Sequence, residues 1–189
     1  MSIILASKSP RRYELLKMIG IEDFKVIADN TDEIIIPGLS PGEQVCGLSL
    51  KKAQNVASRC DKDDIIIAAD TIVYHNNIPY GKPDSPQDAK KMLRELSGNV
   101  HSVYTGVTLL RSNDHISAAE KTDVWFRELS DEEIDKYVRI GEPMDKAGSY
   151  AAQSGAAVFI KRIEGDFFNV VGLPLYRLSL MLKEFGVDL

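Results

Sequence analysis

Two stretches of this chain carry residue types that could do chemistry at their spacing. The first is Leu5-Ala6-Ser7-Lys8-Ser9-Pro10-Arg11-Arg12, in which an apolar strand (Ile3, Ile4, Leu5) runs into two serines and a proline, with two arginines opening the helix behind them. Pro10 suits the first helical position, where its missing N–H would be unpaired anyway, and Ser9 before it is a natural N-cap. The free N–H groups of a first helical turn attract anions, and a guanidinium fork matches phosphate oxygens two at a time. The chemistry to expect is a polyphosphate cradle at this helix start with Arg11 and Arg12, the alternative being an ordinary strand-to-helix turn with a solvated arginine pair. The second stretch is Asp64-Ile65-Ile66-Ile67-Ala68-Ala69-Asp70-Thr71-Ile72-Val73. Its apolar run reads as a strand buried on both faces and interrupted at Asp70-Thr71. A buried carboxylate is costly unless it is paired or bound to a metal, which singles out Asp70.

Other candidates are weaker taken one at a time. Glu33 closes an acidic turn, Asp29-Asn30-Thr31-Asp32-Glu33, of the kind usually just solvated. Lys51 and Lys52 lie mid-helix, where a lysine pair is normally a wet face, and spacing alone does not place Lys52 in a cleft. Gly81-Lys82-Pro83 sets a lysine beside a glycine that permits close backbone approach, without the spacing of a P-loop. Residues Glu142 to Tyr150 form a small-residue loop with an Asp-Lys pair, and Gln153 lies just beyond.

Composition narrows the classes. Over 189 residues, 44 % are hydrophobic and 27 % charged, the profile of a single soluble globular domain with ample core. A net charge of −5 argues against a nucleic-acid-coating protein, which needs a basic face, but not against a small anionic ligand held in a locally positive cleft. Cys46 and Cys60, expected on one helix as packing residues, and the scattered His75, His101 and His115 give no metal-ligand spacing. The strand at the amino terminus predicts no signal peptide, and no apolar run approaches a membrane span, so a cytoplasmic protein is expected.

These residues must be positioned by alternating strands and helices. Helices are predicted from Pro10 to Ile19, from the capping box Ser40-Pro41-Gly42-Glu43 to about Arg59, from Ser85 through Leu96, from the capping box at Ser130 to about Ile140, and from Pro174 to Phe185. Strands are predicted at Phe24 to Ala28, Val100 to Arg111, Ala119 to Arg127 and Ala157 to Ile160, with a hairpin turn at Asn76-Asn77. The pattern is a mixed α/β sheet.

Together these stretches resemble the Maf family of nucleoside triphosphate pyrophosphatases. The matching pieces run in order along nearly the whole chain: Ala6 to Arg12, Asp70-Thr71, Gly81-Lys82-Pro83, Leu96-Ser97-Gly98, Pro143-Met144-Asp145-Lys146-Ala147-Gly148, and Val171-Gly172-Leu173-Pro174. The resemblance implies a curved mixed central sheet flanked by helices, one domain of two lobes around a deep cleft, similar to the inosine-triphosphate pyrophosphatases. It implies cleavage between the α- and β-phosphates with the help of Mg²⁺ or Mn²⁺. By resemblance Asp70 is the general base, Ser7, Arg11, Arg12, Lys52 and Lys82 handle phosphate, and Glu33 joins Asp70 in holding metal or water. Asp-Thr at Asp70-Thr71 resembles the branch acting on dTTP and UTP, and Arg12, Thr71 and Gln153 match the positions linked with choice of base. The family is associated with septum formation, and its members often form homodimers. Neither nucleic acid nor membrane is an expected partner. The chain departs from the family pattern at Ala68-Ala69, where Gly-Ala is usual, and at Tyr150-Ala151-Ala152, where Tyr-Gly-Ile is usual.

Overall fold

Alternating apolar segments and capped helices assemble into one mixed sheet. The structure, a computed structural model, describes residues 1–29, 31 and 33–189. Asn30 and Asp32 of the acidic turn lie outside the described residues. The strands are β1 (Ile3–Leu5), β2 (Phe24–Val26), β3 (Ile65–His75), β4 (Ile78–Tyr80), β5 (Val100–Arg111), β6 (Asp114–Phe126) and β7 (Ile160–Glu164). The helices are α1 (Pro10–Met18), α2 (Pro41–Ala57), α3 (Pro86–Leu96), α4 (Asp131–Arg139), α5 (Phe167–Val171) and α6 (Leu175–Glu184). Hydrogen bonding orders the seven strands β2-β1-β3-β5-β6-β7, with β4 also on β3. β1 pairs parallel with β2 and with β3, whereas β3–β4 and β6–β7 are antiparallel. This is the expected mixed sheet with flanking helices.

The chain forms two compact units. The first comprises Met1–Asp70, Thr105–Glu120 and Gly172–Leu189, and the second Thr71–Tyr104 and Lys121–Val171. In the first, Ile4 and Ala6, Ile66 and Ala68, Ala53 and Val56, and Leu110 share a core beneath α2. In the second, Val73, Leu93, Val103, Phe126, Ile134, Tyr137 and Phe159 pack together under α3 and α4. Among the described residues no helix is long and apolar enough to cross a membrane.

Helix starts follow local chemistry. Both expected capping boxes form, at Ser40 with Glu43 and at Ser130 with Glu133. Asn76 and Asn77 both take positive φ, the backbone of a tight hairpin turn between β3 and β4. Some expectations are corrected. Asp70-Thr71 do not interrupt the strand: β3 runs unbroken from Ile65 to His75, because Asp70 has a cationic partner and the backbone has no need to leave the ladder. Residues 155–159 form a short 3-10 helix instead of a strand, since turn bonds such as Ala157 N–H to Ser154 O, 2.9 Å, take up the donors locally and pairing with β6 begins only at Ile160. The strand expected from Ala119 starts five residues earlier, at Asp114. Cys60 lies beyond the end of α2 and does not share that helix with Cys46.

Candidate active site

The amino-terminal segment holds its shape through Ser7. The parallel pairing of β1 with β3 extends past the strand, with Ala6 N–H donating to Ile67 O at 2.8 Å. Ser7, which is buried, then accepts Ser9 N–H at 3.1 Å and the Arg12 Nη1–H at 3.4 Å on its hydroxyl oxygen. Ser9 occupies the cap position of α1, yet its own side chain makes no capping bond, contrary to the expectation for a serine N-cap. Arg12 Nε donates at 2.7 Å to the carbonyl of Gly172. Gly172 has φ +116°, a backbone state that side-chain-bearing residues rarely adopt, and that state aims its carbonyl. Arg12 is thereby fixed by one bond to its near neighbour Ser7 and one to Gly172, 160 residues away.

α2 supplies the next cation. Val45, Leu48, Ala53 and Val56 turn inward, and Gly106 on β5 lets the helix come close: a Cβ there would lie 2.3 Å from Val45 O. Lys52 is carried inward with that face. Its ammonium donates to Asp70 Oδ1 at 2.5 Å and to Glu33 Oε1 at 2.7 Å. The Asp70 side chain is only 3 % exposed and that of Glu33 41 %. Asp70 is therefore a desolvated carboxylate compensated by Lys52, whereas Glu33 meets the same ammonium from the solvent side. Lys51, its neighbour, faces water, whereas Lys52 departs from the wet face expected of the pair because it shares the inward face with Leu48 and Val56.

Electrostatic coupling ties Arg12 to this pair. Burial pushes its guanidinium below the ordinary arginine value, the Asp70 charge opposes that shift, Arg11 reinforces it and Glu33 opposes it. An arginine keeps its proton through such a shift. The first unit thus gathers Ser7, Arg12, Glu33, Lys52 and Asp70, with Arg11 coupled by charge to Arg12. Small residues Ala68 and Ala69, one departure from the family pattern, are fully buried beside Asp70 on β3.

The remaining candidates belong to the second unit. Thr71 is half-buried on β3, and Lys82 and Gln153 are exposed. Gly81 O accepts Gly148 N–H at 3.0 Å, which fastens the Gly81-Lys82-Pro83 segment to the turn at Ala147–Ser149. The Asp145–Lys146 pair forms, and Lys146 also donates to Glu142 O at 3.2 Å. Ala151 and Ala152, the second departure, are buried, and Ala151 N–H donates to Tyr137 OH at 3.1 Å. Among the described residues no group of three or more His, Cys, Asp or Glu side chains forms a metal cage. Sequence reasoning named Lys52 but passed over the Gly172 carbonyl and the polar Gln44 and Asn55 on the same face of α2. The row was visible as helical spacing from Gln44 through Lys52 to Asn55.

The fold is a mixed α/β sheet whose strand β3 bears a buried acid, tied to one lysine and coupled by charge to Arg12. The chain belongs to the Maf-like protein family, whose pattern matches residues 2–185. A protein named dTTP/UTP pyrophosphatase from Caldicellulosiruptor bescii is 47 % identical over 192 residues, covering 99 % of this chain and 96 % of the relative. Another of that name from Methanosarcina mazei is 49 % identical, covering 98 % and 95 %, and one from Bacillus cereus is 46 % identical, covering 98 % and 96 %. Among solved structures, a nucleoside-triphosphatase (dITP/XTP pyrophosphatase) from Mycobacterium abscessus superposes with a TM-score of 0.41 at 12 % identity, covering 68 % of this chain and 76 % of its own. The Staphylococcus aureus Ham1 protein gives 0.43 at 15 %, covering 67 % and 72 %.

Proposed function

We propose that this protein is a nucleoside triphosphate pyrophosphatase that hydrolyses dTTP and UTP to the monophosphate and pyrophosphate. The observation that carries the reading is Asp70, a buried carboxylate on β3 bonded to Lys52 at 2.5 Å and coupled by charge to Arg12. Relatives 46–49 % identical over nearly their full length bear the name of this activity.

Hydrolysis of a triphosphate requires an oriented water and compensation of charge on the phosphoryl oxygens. Asp70 serves as general base for the attacking water. Arg11, Arg12 and Lys52 attract the phosphate chain, and the Ser7 hydroxyl orients Arg12 through the bond already present. Lys82 handles phosphate, and Gln153, with a donor and an acceptor on one amide, reads the pyrimidine edge, the choice of base being linked also to Thr71 and Arg12. The donor set suits a divalent cation: Asp70 and Glu33 already bond one positive centre, Lys52, and Mg²⁺ or Mn²⁺ takes one or two carboxylates with substrate phosphates. When bound, such an ion would lower the pKa of water and neutralise phosphate charge. The reading also entails a cytoplasmic enzyme, a homodimer as in many family members, and nucleotides rather than nucleic acid or membranes as partners.

The test is incubation of the purified protein with each ribo- and deoxyribonucleoside triphosphate in Mg²⁺ or Mn²⁺, with identification of products. dTTP and UTP should yield monophosphate and pyrophosphate, and Asp70→Asn should lose about 10²-fold or more in kcat. Release of orthophosphate in place of pyrophosphate, or turnover unchanged in Asp70→Asn, contradicts the proposal.

A further inference from the structure

Helix α2 carries a row of side chains that fastens the segment bearing Glu33. Gln44, Leu48, Lys52, Asn55 and Arg59 follow one another at helical spacing, in steps of four or three, along one face that continues past Ala57. The four polar members bond residues of rising number as the helix is descended. Arg59 donates to Ala28 O at 3.0 Å, Asn55 to Thr31 Oγ1 at 2.5 Å, and Lys52 to Glu33 at 2.7 Å. Gln44 donates from Nε2 to Ile34 O and accepts Ile36 N–H on Oε1, each at 2.9 Å. The segment therefore lies antiparallel to the helix, and Glu33 sits between two anchored neighbours.

Gln44 is the anchor that matters for Glu33. Its side chain is buried, and both ends of its amide go to the backbone within three residues of Glu33. Apolar burial does not hold that backbone, because Ile34, Ile35 and Ile36 are 61 %, 40 % and 55 % exposed. The two amide bonds imitate a rung of sheet and set the height of the chain above Lys52. Glu33, 41 % exposed on its side chain, would otherwise exchange its ion pair for water at little cost.

We propose that Gln44 is a positioning residue for the reaction: its amide holds Ile34 and Ile36 so that Glu33 stays on the Lys52–Asp70 pair. The proposal rests on the pyrophosphatase reading for its catalytic consequence only. Gln44→Leu and, as a second apolar replacement of similar length, Gln44→Met are made in the parent chain and in Glu33→Gln. Folding is verified by circular dichroism, amide exchange is followed at Ile36, and kcat and KM are measured with dTTP. Loss of the accepted bond should speed Ile36 exchange about tenfold. In the parent chain kcat should fall about tenfold, with KM for dTTP changed by no more than about twofold. In the Glu33→Gln background the same replacements should produce no further fall, because Gln44 acts through Glu33. Unaltered Ile36 exchange, or an equal fall in kcat in both backgrounds, overturns the proposal. The exchange arm needs no substrate, so a parent chain inert toward every triphosphate would defeat the pyrophosphatase reading while leaving the anchoring decided by Ile36.

Discussion

Replacing Lys52 by methionine keeps most of the side-chain volume and removes the ammonium between Asp70 and Glu33. The two acids should respond unequally. Glu33, 41 % exposed on its side chain, regains water and contributes about 0–1 kcal/mol. Asp70, 3 % exposed, does not, and breaking a buried pair from one side costs about 3–5 kcal/mol. Arg12 still offers Asp70 a favourable field, which places the expected loss near the lower end, about 3 kcal/mol. For a chain of this size that corresponds to a fall in Tm of roughly 6–12 °C. The assay is calorimetry with urea unfolding of the parent, Lys52→Met, Asp70→Asn and the double variant. Removing the stranded charge should rescue stability, so Lys52→Met/Asp70→Asn should recover most of the loss. A Lys52→Met variant within about 1 kcal/mol of the parent would refute the reasoning, as would a double variant less stable than Lys52→Met alone.

Three further outcomes are expected. Arg12→Lys should lose activity with dTTP by about tenfold or more, since a lysine cannot reproduce both the bond to Gly172 O and the one to Ser7; steady-state kinetics that match the parent would dismiss the guanidinium geometry. Gly106→Ala, whose Cβ would meet Val45 O at 2.3 Å, should destabilise by about 2 kcal/mol or more and lower kcat by displacing α2, read by thermal melts and turnover. His101 is buried against Phe126 and Tyr150, and burial pushes its pKa down to about 3. The unfolded chain, with His near 6.5, then binds the extra proton first, so stability should be complete above pH 6.5 and fall as pH drops from there toward 3, by about 2 kcal/mol at pH 5. Unfolding measured at pH 7 and pH 5 checks this, and His101→Gln should flatten the slope.

Local chemistry made much of the fold readable. The capping boxes at Ser40 and Ser130 and the Asn76-Asn77 turn depend on neighbours within four residues, and each formed as expected. The strand expected at Ala157 failed because a short apolar run has no period of its own, and only its partner β6 decides where pairing starts. Lys52 shows the same division. Its position on a helix was legible, and its spacing of four from Leu48 and from Val56 sets it rather than Lys51 on the inward face, but only the tertiary structure brings Asp70 and Glu33 to its ammonium.

By itself, the sequence determined the inventory: an acid within an apolar strand, a serine and two arginines at a strand-to-helix turn, and a family pattern running from end to end. Tertiary structure alone decided which charges meet. Asp70 meets Lys52 across 18 residues, and Arg12 reaches Gly172 across 160. A carboxylate's solvation and partners are set by chain segments far away in sequence. No local pattern specifies them, and they turn a buried aspartate into a site.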